Sequence, residues 1–390
     1  MLWDSTFCKE SSDKNLLASG TCACPGIVTG QICVWDKNSQ SSLEEGDILI
    51  LDHYVDDFPL WAIEKSNAVI SCRHTSYSHL TSFAMALNKP CIVGAVFHKM
   101  PDNHSRVTVD AWERLVVNAD DMAVLMSPNQ KDWLADTADK VCSKLYSETY
   151  KPLAHVVSFD GSECYMDHIS GIFLDSFLFQ KEAQLVKRMI TRILAIHHTH
   201  PDIEIYYRFS QDSICPTGHT SQLQRELEFV RYLQDNGIPV SVFVANTTSY
   251  ADILAFRKFI SDALYPNPPA RIGTMIENTD IVGDLDAIVS DKLINFGAIG
   301  INDLLSSCLQ LERDDPRNQE EFRIDSAPAL HVLSAINKSL STQKIPCFIG
   351  FPKYPHFHSD YKVLIDLGYH HFFGTQSLFA IAAKYSFEKE

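Results

Sequence analysis

The sequence predicts an α/β chain in two bodies. A compact α/β or β-rich domain spans residues 1–118, a helical linker covers 119–152, and a (β/α)8 TIM barrel fills 153–390. Three observations carry this. Short apolar runs rich in β-branched residues and broken by Gly, Asn and Asp fill the first stretch. A charged stretch follows, with apolar residues three and four apart. Beyond it, strand-like runs alternate with amphipathic stretches, the pattern of a parallel barrel with its helices outside.

In the first stretch the strand signals are GIVTGQICVW (26–35), GDILIL (46–51), NAVIS (67–71), PCIVGAVF (90–97) and RVTVDAWERLVV (106–117). One convincing helix lies among them, SHLTSFAMALN at 78–88. The linker reads as helical from ADDMAVLMS onward. The barrel strands are expected at HVVSF (155–159), GIFL (171–174), IEIYYRF (203–209), PVSVFVA (239–245), RIGTMIE (271–277), FGAIGI (296–301), IPCFIGF (345–351) and HHFFGTQ (370–376). Helices between them include 180–200, 219–237 and 249–264. No internal repeat or low-complexity segment is evident.

Composition narrows the function. Hydrophobic residues are 45% and charged residues 21%, which excludes a disordered or fibrous chain. A net charge of −16 makes a nucleic-acid or anionic-membrane partner a poor fit. No apolar run approaches the roughly 18 residues that span a bilayer. The start is polar and mixed in charge, unlike a signal peptide. The 11 cysteines lack paired CxxC spacing, so reduced thiols in a cytoplasmic protein are expected, without zinc.

Barrel chemistry sits at the C-terminal ends of strands. Arg208 ends the IEIYYR run, Glu277 ends RIGTMIE, and Asn302 with Asp303 ends FGAIGIND. Arg313 follows in LQLERDDP. Two carboxylates, an amide and two guanidiniums suit a divalent cation with an anionic substrate. Surface salt bridges at strand ends explain the same residues equally well. In TSYSHLTSF, Ser76 or Ser78 could cap a helix whose first turn holds His79, and a helix N-terminus favours a phosphoryl group there. A plain surface histidine is the simpler reading among 16 histidines.

Taken in order, these segments resemble the C-terminal two-thirds of a phosphoenolpyruvate synthase or pyruvate phosphate dikinase, over residues 16–380. Phosphotransferase-system enzyme I and rifampin phosphotransferase are relatives of that family. LLASGTCACPGIVTGQICVW is similar to its G-x-x-x-S-P-G-x-x-x-G opening. SHLTSFAMALNKPCIVG is similar to its S-H-x-x-x-x-A-R-x-x-x-x-P-x-V-G signature. IYYRFSQD, IGTMIEN and AIGINDLLSSCLQLERD resemble three barrel segments. The resemblance implies a small swivelling β/β/α phosphohistidine domain ahead of a phosphoenolpyruvate-binding barrel. His79 would carry phosphate, Glu277 and Asp303 would bind Mg²⁺, Asn302 would hold the transferred phosphoryl group, and Arg208 and Arg313 would bind a small phosphorylated or carboxylate substrate. The family's barrels commonly form homodimers.

The departures matter as much. His74-Thr75 stands where the family has Gly-Gly, removing flexibility and crowding the approach to His79. Met85 replaces an Arg, and Asp175 or Ser176 stands where another Arg belongs. Ile349-Gly350-Phe351 replaces a C-G-[EQ] motif whose Cys is a proton donor, with Cys347 two residues earlier. Nothing resembles an ATP-grasp domain, so the resemblance implies a separate ATP-grasp kinase subunit. Two functions stay open. One is a phosphotransferase component passing phosphate from His79 to a small acceptor, either phosphoenolpyruvate/pyruvate-like or an alcohol or phenol whose oxygen is not an enolate. The other is a catalytically weakened binding or regulatory protein.

Overall fold

β-branched runs become strands throughout, and hydrogen bonding closes them into two barrels. The computed structural model describes residues 16–35, 42–53, 55, 60–87, 89–119, 153–155, 171–176, 183–210, 213–214, 221–318, 320–350 and 357–374. Two compact units divide the chain between Trp133 and Leu134, with Asp314–Pro316 counted in the first. The expected helical linker, 119–152, lies outside the described residues apart from its first residue.

The first unit holds β1 (Leu16–Cys24), β2 (Ile27–Val34), β3 (Ile48–Leu51), α1 (Leu60–Lys65), β4 (Ala68–Ser71), α2 (His79–Ala86), β5 (Cys91–Phe97), β6 (Arg106–Asp110) and β7 (Leu115–Asn118). The sheet order is β1-β5-β4-β3-β2-β6-β7, closed by β7 pairing with β1. β2 to β5 run parallel, and antiparallel partners flank them. Alternate residues, including Ile32, Ile48, Ile50, Ile70, Ile92, Val107 and Val109, fill its core. At Gly20 a Cβ would lie 2.6 Å from Ile92 and 2.8 Å from the Val93 carbonyl, so β1 can cross β5 there only as glycine.

The run 106–117 is not one strand but a hairpin, and α1 was not expected. The Asp110 carboxylate accepts the Glu113 N–H at 3.0 Å, and Arg114 takes a φ of 63°. This local bond folds the chain back between two apolar stretches that look continuous in sequence.

The second unit is an eight-stranded parallel barrel. Its strands are β8 (Leu153–His155), β9 (Gly171–Asp175), β10 (Glu204–Phe209), β11 (Val240–Val244), β12 (Ile272–Ile276), β13 (Phe296–Ile299), β14 (Cys347–Gly350) and β15 (His371–Gly374). They close in sequence order, β15 joining β8. β8 therefore precedes the stretch 155–159 expected for it, of which 156–159 lies outside the described residues. The helices are α3 (Ala183–Thr199), α4 (Ser221–Asp235), α5 (Tyr250–Ala263), α6 (Leu285–Ser290), α7 (Ile301–Leu309), α8 (Ala327–Thr342) and α9 (Phe357–Asp366).

Phe173, Tyr206, Phe243, Met275, Phe296, Ala298 and Phe348 form one buried cluster drawn from six strands. Side chains on so many consecutive strands can meet only inside the barrel, so this face is the lumen. The rings pack tilted and edge-on, with Tyr206 5.3 Å from Phe296 and 5.2 Å from Phe348. At the N-terminal end, Arg271 pairs with Glu204 and lies 5.3 Å above the Tyr206 ring. The barrel is thus filled, and open chemistry is confined to its other end.

Gly273 sits opposite Phe296 in the β12–β13 register, and a Cβ there would lie 2.6–2.7 Å from three ring atoms. Gly283 has open space. Gly273→Ala should therefore destabilise the barrel by about 1–3 kcal/mol, whereas Gly283→Ala leaves it essentially unchanged. Urea unfolding followed by circular dichroism checks both.

Candidate functional site

The C-terminal end of the barrel collects charge above an apolar lumen. Asp175 ends β9 and faces Arg208 of β10 directly in register. Arg208 Nη2 donates to the Asp175 carboxylate. Its Nη1 lies 3.9 Å from Glu277 Oε2 and 2.9 Å from the Met275 sulfur. Its Nε is buried with no acceptor among the described residues. Burial works against the guanidinium charge, but Asp175 and Glu277 outweigh it and hold the proton more firmly than usual.

Glu277 follows β12 and is nearly enclosed. Burial raises its pKa, Arg208 opposes that rise, and Asp303 adds to it. Its Oε1 accepts the backbone N–H of Asn246, a residue held in left-handed conformation at φ 54°. Thr247 beside it bonds Thr274 Oγ1 at 2.8 Å, fixing that turn to β12. Gly300 leaves Glu277 its room, because a Cβ there would lie 3.0 Å from Oε2 and 2.8 Å from Met275.

Asn302 and Asp303 belong to the first turn of α7 rather than to the end of a strand. Asp303 accepts from Arg313, whose side chain is buried while Asp303 remains substantially exposed. The Asn302 amide oxygen is buried and accepts no hydrogen bond among the described residues. Glu277 and Asp303 with this oxygen form an all-oxygen donor set, the type that hard divalent cations take. No group of three or more His, Cys, Asp or Glu suited to a metal occurs among the described residues. Among the described residues of the cluster, three carboxylates face two guanidiniums, an excess of one negative charge.

In the first unit, Ser78 caps α2 and accepts the Thr81 N–H at 3.3 Å. The Thr75 carbonyl accepts from the hydroxyls of Ser78 at 2.9 Å and Thr81 at 2.8 Å. Thr75, Ser78 and Thr81 are fully buried, so the turn is tied from inside. His79 is the first residue of α2, with 67% of its side chain exposed and no acidic residue in its first turn, and its Nδ1 lies 4.0 Å from the Asp314 carboxylate. His74 is the opposite case. Its ring lies inside, 2.7 Å from Ser71 Oγ, and burial lowers its pKa. His74 and Thr75 therefore do not crowd His79, because both side chains turn inward. Met85 is likewise buried, in the packing of the unit.

Cys347 is not in the lumen. Its neighbour Phe348 is, so the alternation places Cys347 on the outer face of β14, where a Cβ on Gly297 would lie 3.7 Å from its sulfur. Burial pushes its thiol far up, the behaviour of a structural cysteine. Ile349 shares that outer face and is fully buried. No disulfide joins the described cysteines.

Sequence reasoning missed Asn246 and Glu226. A left-handed Asn leaves no periodic signal. Glu226 did leave one, lying on the same stripe of α4 as Leu223, Leu227 and Val230. It is fully buried, takes a 2.8 Å bond from Gln222, and accepts the Ser210 N–H just beyond β10.

Residues 43–113 match the family described as PEP-utilising enzyme, mobile domain. No curated protein matches the chain significantly. Among solved structures, the chain is similar to a citrate lyase from Burkholderia xenovorans at 9% identity, covering 62% of this chain and 79% of that one with a TM-score of 0.44. It is also similar to an HpcH/HpaI aldolase/citrate lyase family protein from Burkholderia cenocepacia, at 11% identity, 64% and 98% coverage and a TM-score of 0.43. The citrate lyase beta subunit from M. tuberculosis, complexed with oxaloacetate and magnesium, gives 14%, 60%, 96% and 0.39. Likeness at this level carries no statement about chemistry. Among the described residues no helix is long and apolar enough to cross a membrane.

Burial raises the Glu226 carboxyl from 4.5 to about 7. The folded protein thus binds this proton more tightly than the unfolded chain, and stability is lost as pH rises from 4.5 through about 7. The loss is roughly 3 kcal/mol. Glu226→Gln, which has no carboxyl to ionise, should lack this component, and urea midpoints of both proteins at pH 5 and pH 8 measure the difference.

Proposed function

We propose that this chain is a phosphotransferase component that carries phosphate on His79 and delivers it to a small acceptor in the barrel. The observation that carries the reading is the setting of His79 within the stretch matched by the mobile-domain family. An exposed imidazole opens a capped helix whose first turn holds no carboxylate. The positive end of the helix dipole then faces any phosphoryl group placed on that ring.

In the charging step the donor's P–O bond breaks, a P–N bond forms to the His79 ring, and the ring proton leaves to solvent. In the delivery step the acceptor oxygen attacks phosphorus, the P–N bond breaks, and the acceptor loses its proton. The donor is a separate ATP-grasp kinase chain. In the barrel, Glu277 and Asp303 would hold Mg²⁺ with Asn302 beside them. The ion would neutralise charge on the phosphoryl oxygens. The inaccessible Cys347 and the Ile349 at the expected acid position favour an alcohol or phenol acceptor, which needs no proton on carbon.

The test is intact-protein mass spectrometry after incubation with phosphoenolpyruvate and Mg²⁺, or with ATP and a candidate kinase subunit. One acid-labile phosphoryl group is expected, absent in His79→Ala and retained in His74→Gln. A label that survives His79→Ala, or no label with any donor, would overturn the carrier role. The arginine pairing of Glu277 and Asp303 also suits a second reading, a binding or regulatory protein that keeps ligands without turnover. That reading predicts Mg²⁺ binding by calorimetry with no phosphoryl label.

The metal assignment is checked separately. Glu277→Gln and Asp303→Asn should each abolish measurable Mg²⁺ binding while the barrel still melts cooperatively.

A further inference from the structure

We propose that Asp175 sets the charge capacity of the barrel mouth, so that the site takes a small acceptor bearing at most one negative charge, such as a monocarboxylate, and discriminates against phosphorylated polyanions. The proposal rests on reading the mouth as the acceptor site. Its basis is what Arg208 has left to offer. A guanidinium grips an anion through a pair of N–H groups on one edge. Arg208 gives its Nη2 to Asp175 and turns its Nη1 toward Met275 and Glu277, and its buried Nε lacks an acceptor among the described residues. Asp175 is held opposite Arg208 by the strand register itself. An incoming anion could use that edge only by displacing a carboxylate fixed to the neighbouring strand.

The second guanidinium is similarly engaged, Arg313 with Asp303. The described residues of the cluster carry one net negative charge, and one divalent cation would bring them to one positive charge. A monocarboxylate or a neutral alcohol or phenol matches that balance. A phosphate monoester does not. The consequence for the reaction is directional. Phosphoryl transfer to a hydroxyl adds about two negative charges, so the product binds less well than the acceptor and leaves.

Binding to the full chain tests this without any phosphoryl transfer, so failure of the His79 labelling and failure of this proposal are distinguishable. Calorimetry with MgCl₂ would compare pyruvate, a monoanion, with phosphoenolpyruvate for the wild type, Asp175→Asn and Asp175→Glu. Removing one charge a few ångströms from the ligand should raise phosphoenolpyruvate affinity about tenfold or more in Asp175→Asn. Pyruvate affinity should stay within about threefold, because a monoanion gains less from the extra charge. Asp175→Glu keeps the carboxylate and should behave as wild type, which a purely structural role for the shape of Asp175 would not produce. If Asp175→Asn fails to fold, the wild type still decides. Pyruvate binding equal to or tighter than phosphoenolpyruvate supports the proposal. Tenfold tighter phosphoenolpyruvate binding by the wild type, an unchanged ratio in a folded Asp175→Asn, or no binding by any of the three proteins overturns it.

Discussion

Arg208 must stay charged in a site largely shut off from water, and the barrel mouth is arranged around that need. An isolated cation there would cost several kcal/mol after relaxation. Asp175 offsets the cost from the adjacent strand, and Glu277 adds a second carboxylate from β12. Glu277 in turn is a buried acid that needs a donor. The left-handed Asn246 supplies one, and Gly300 gives it space. One guanidinium is thereby linked, through Glu277, to a left-handed Asn and a closely packed glycine at the same level of the barrel.

Below that layer the lumen cannot share in the electrostatics. Phe173, Tyr206, Phe243, Phe296 and Phe348 fill it, and charges reappear at the far end with Arg271 and Glu204. Aromatic packing keeps water out and the effective dielectric low, strengthening the pairs at the mouth. The same exclusion makes any imbalance costly, and the described residues carry three carboxylates to two guanidiniums.

The barrel was legible because its strands are continuous apolar runs separated by amphipathic helices, a pattern set by burial on both faces. The residues at strand ends were legible for the same reason. Their partners were not. Nothing in the sequence says that Asp175 is spent on Arg208, since that depends on the register between strands almost thirty residues apart. Asn302 and Asp303 fell one turn later than expected, because Gly300 already ends β13 and starts α7. The hairpin in 106–118 was hidden by a turn made of Asp110 and a left-handed Arg114 rather than Gly or Pro. His79 stood out in sequence through its capping serines, whereas nothing in the sequence showed that the His74 ring would be held inside by Ser71.

Two helix starts sum up the division of chemistry in electrostatic terms. Both present unsatisfied N–H groups and a partial positive charge, which favour an anion. At α7 the chain supplies that anion itself as Asp303 in the first turn, and an orphaned amide oxygen on Asn302 lies beside it. The end is thus converted from an anion site into one that a cation can approach. At α2 the capping oxygen of Ser78 is neutral and the first turn holds no carboxylate, so the positive end is left for an external group. A phosphoryl on the exposed His79 ring would meet that potential, opposed by the Asp314 carboxylate 4.0 Å from Nδ1. The two helix starts therefore differ in charge through one side chain of the first turn.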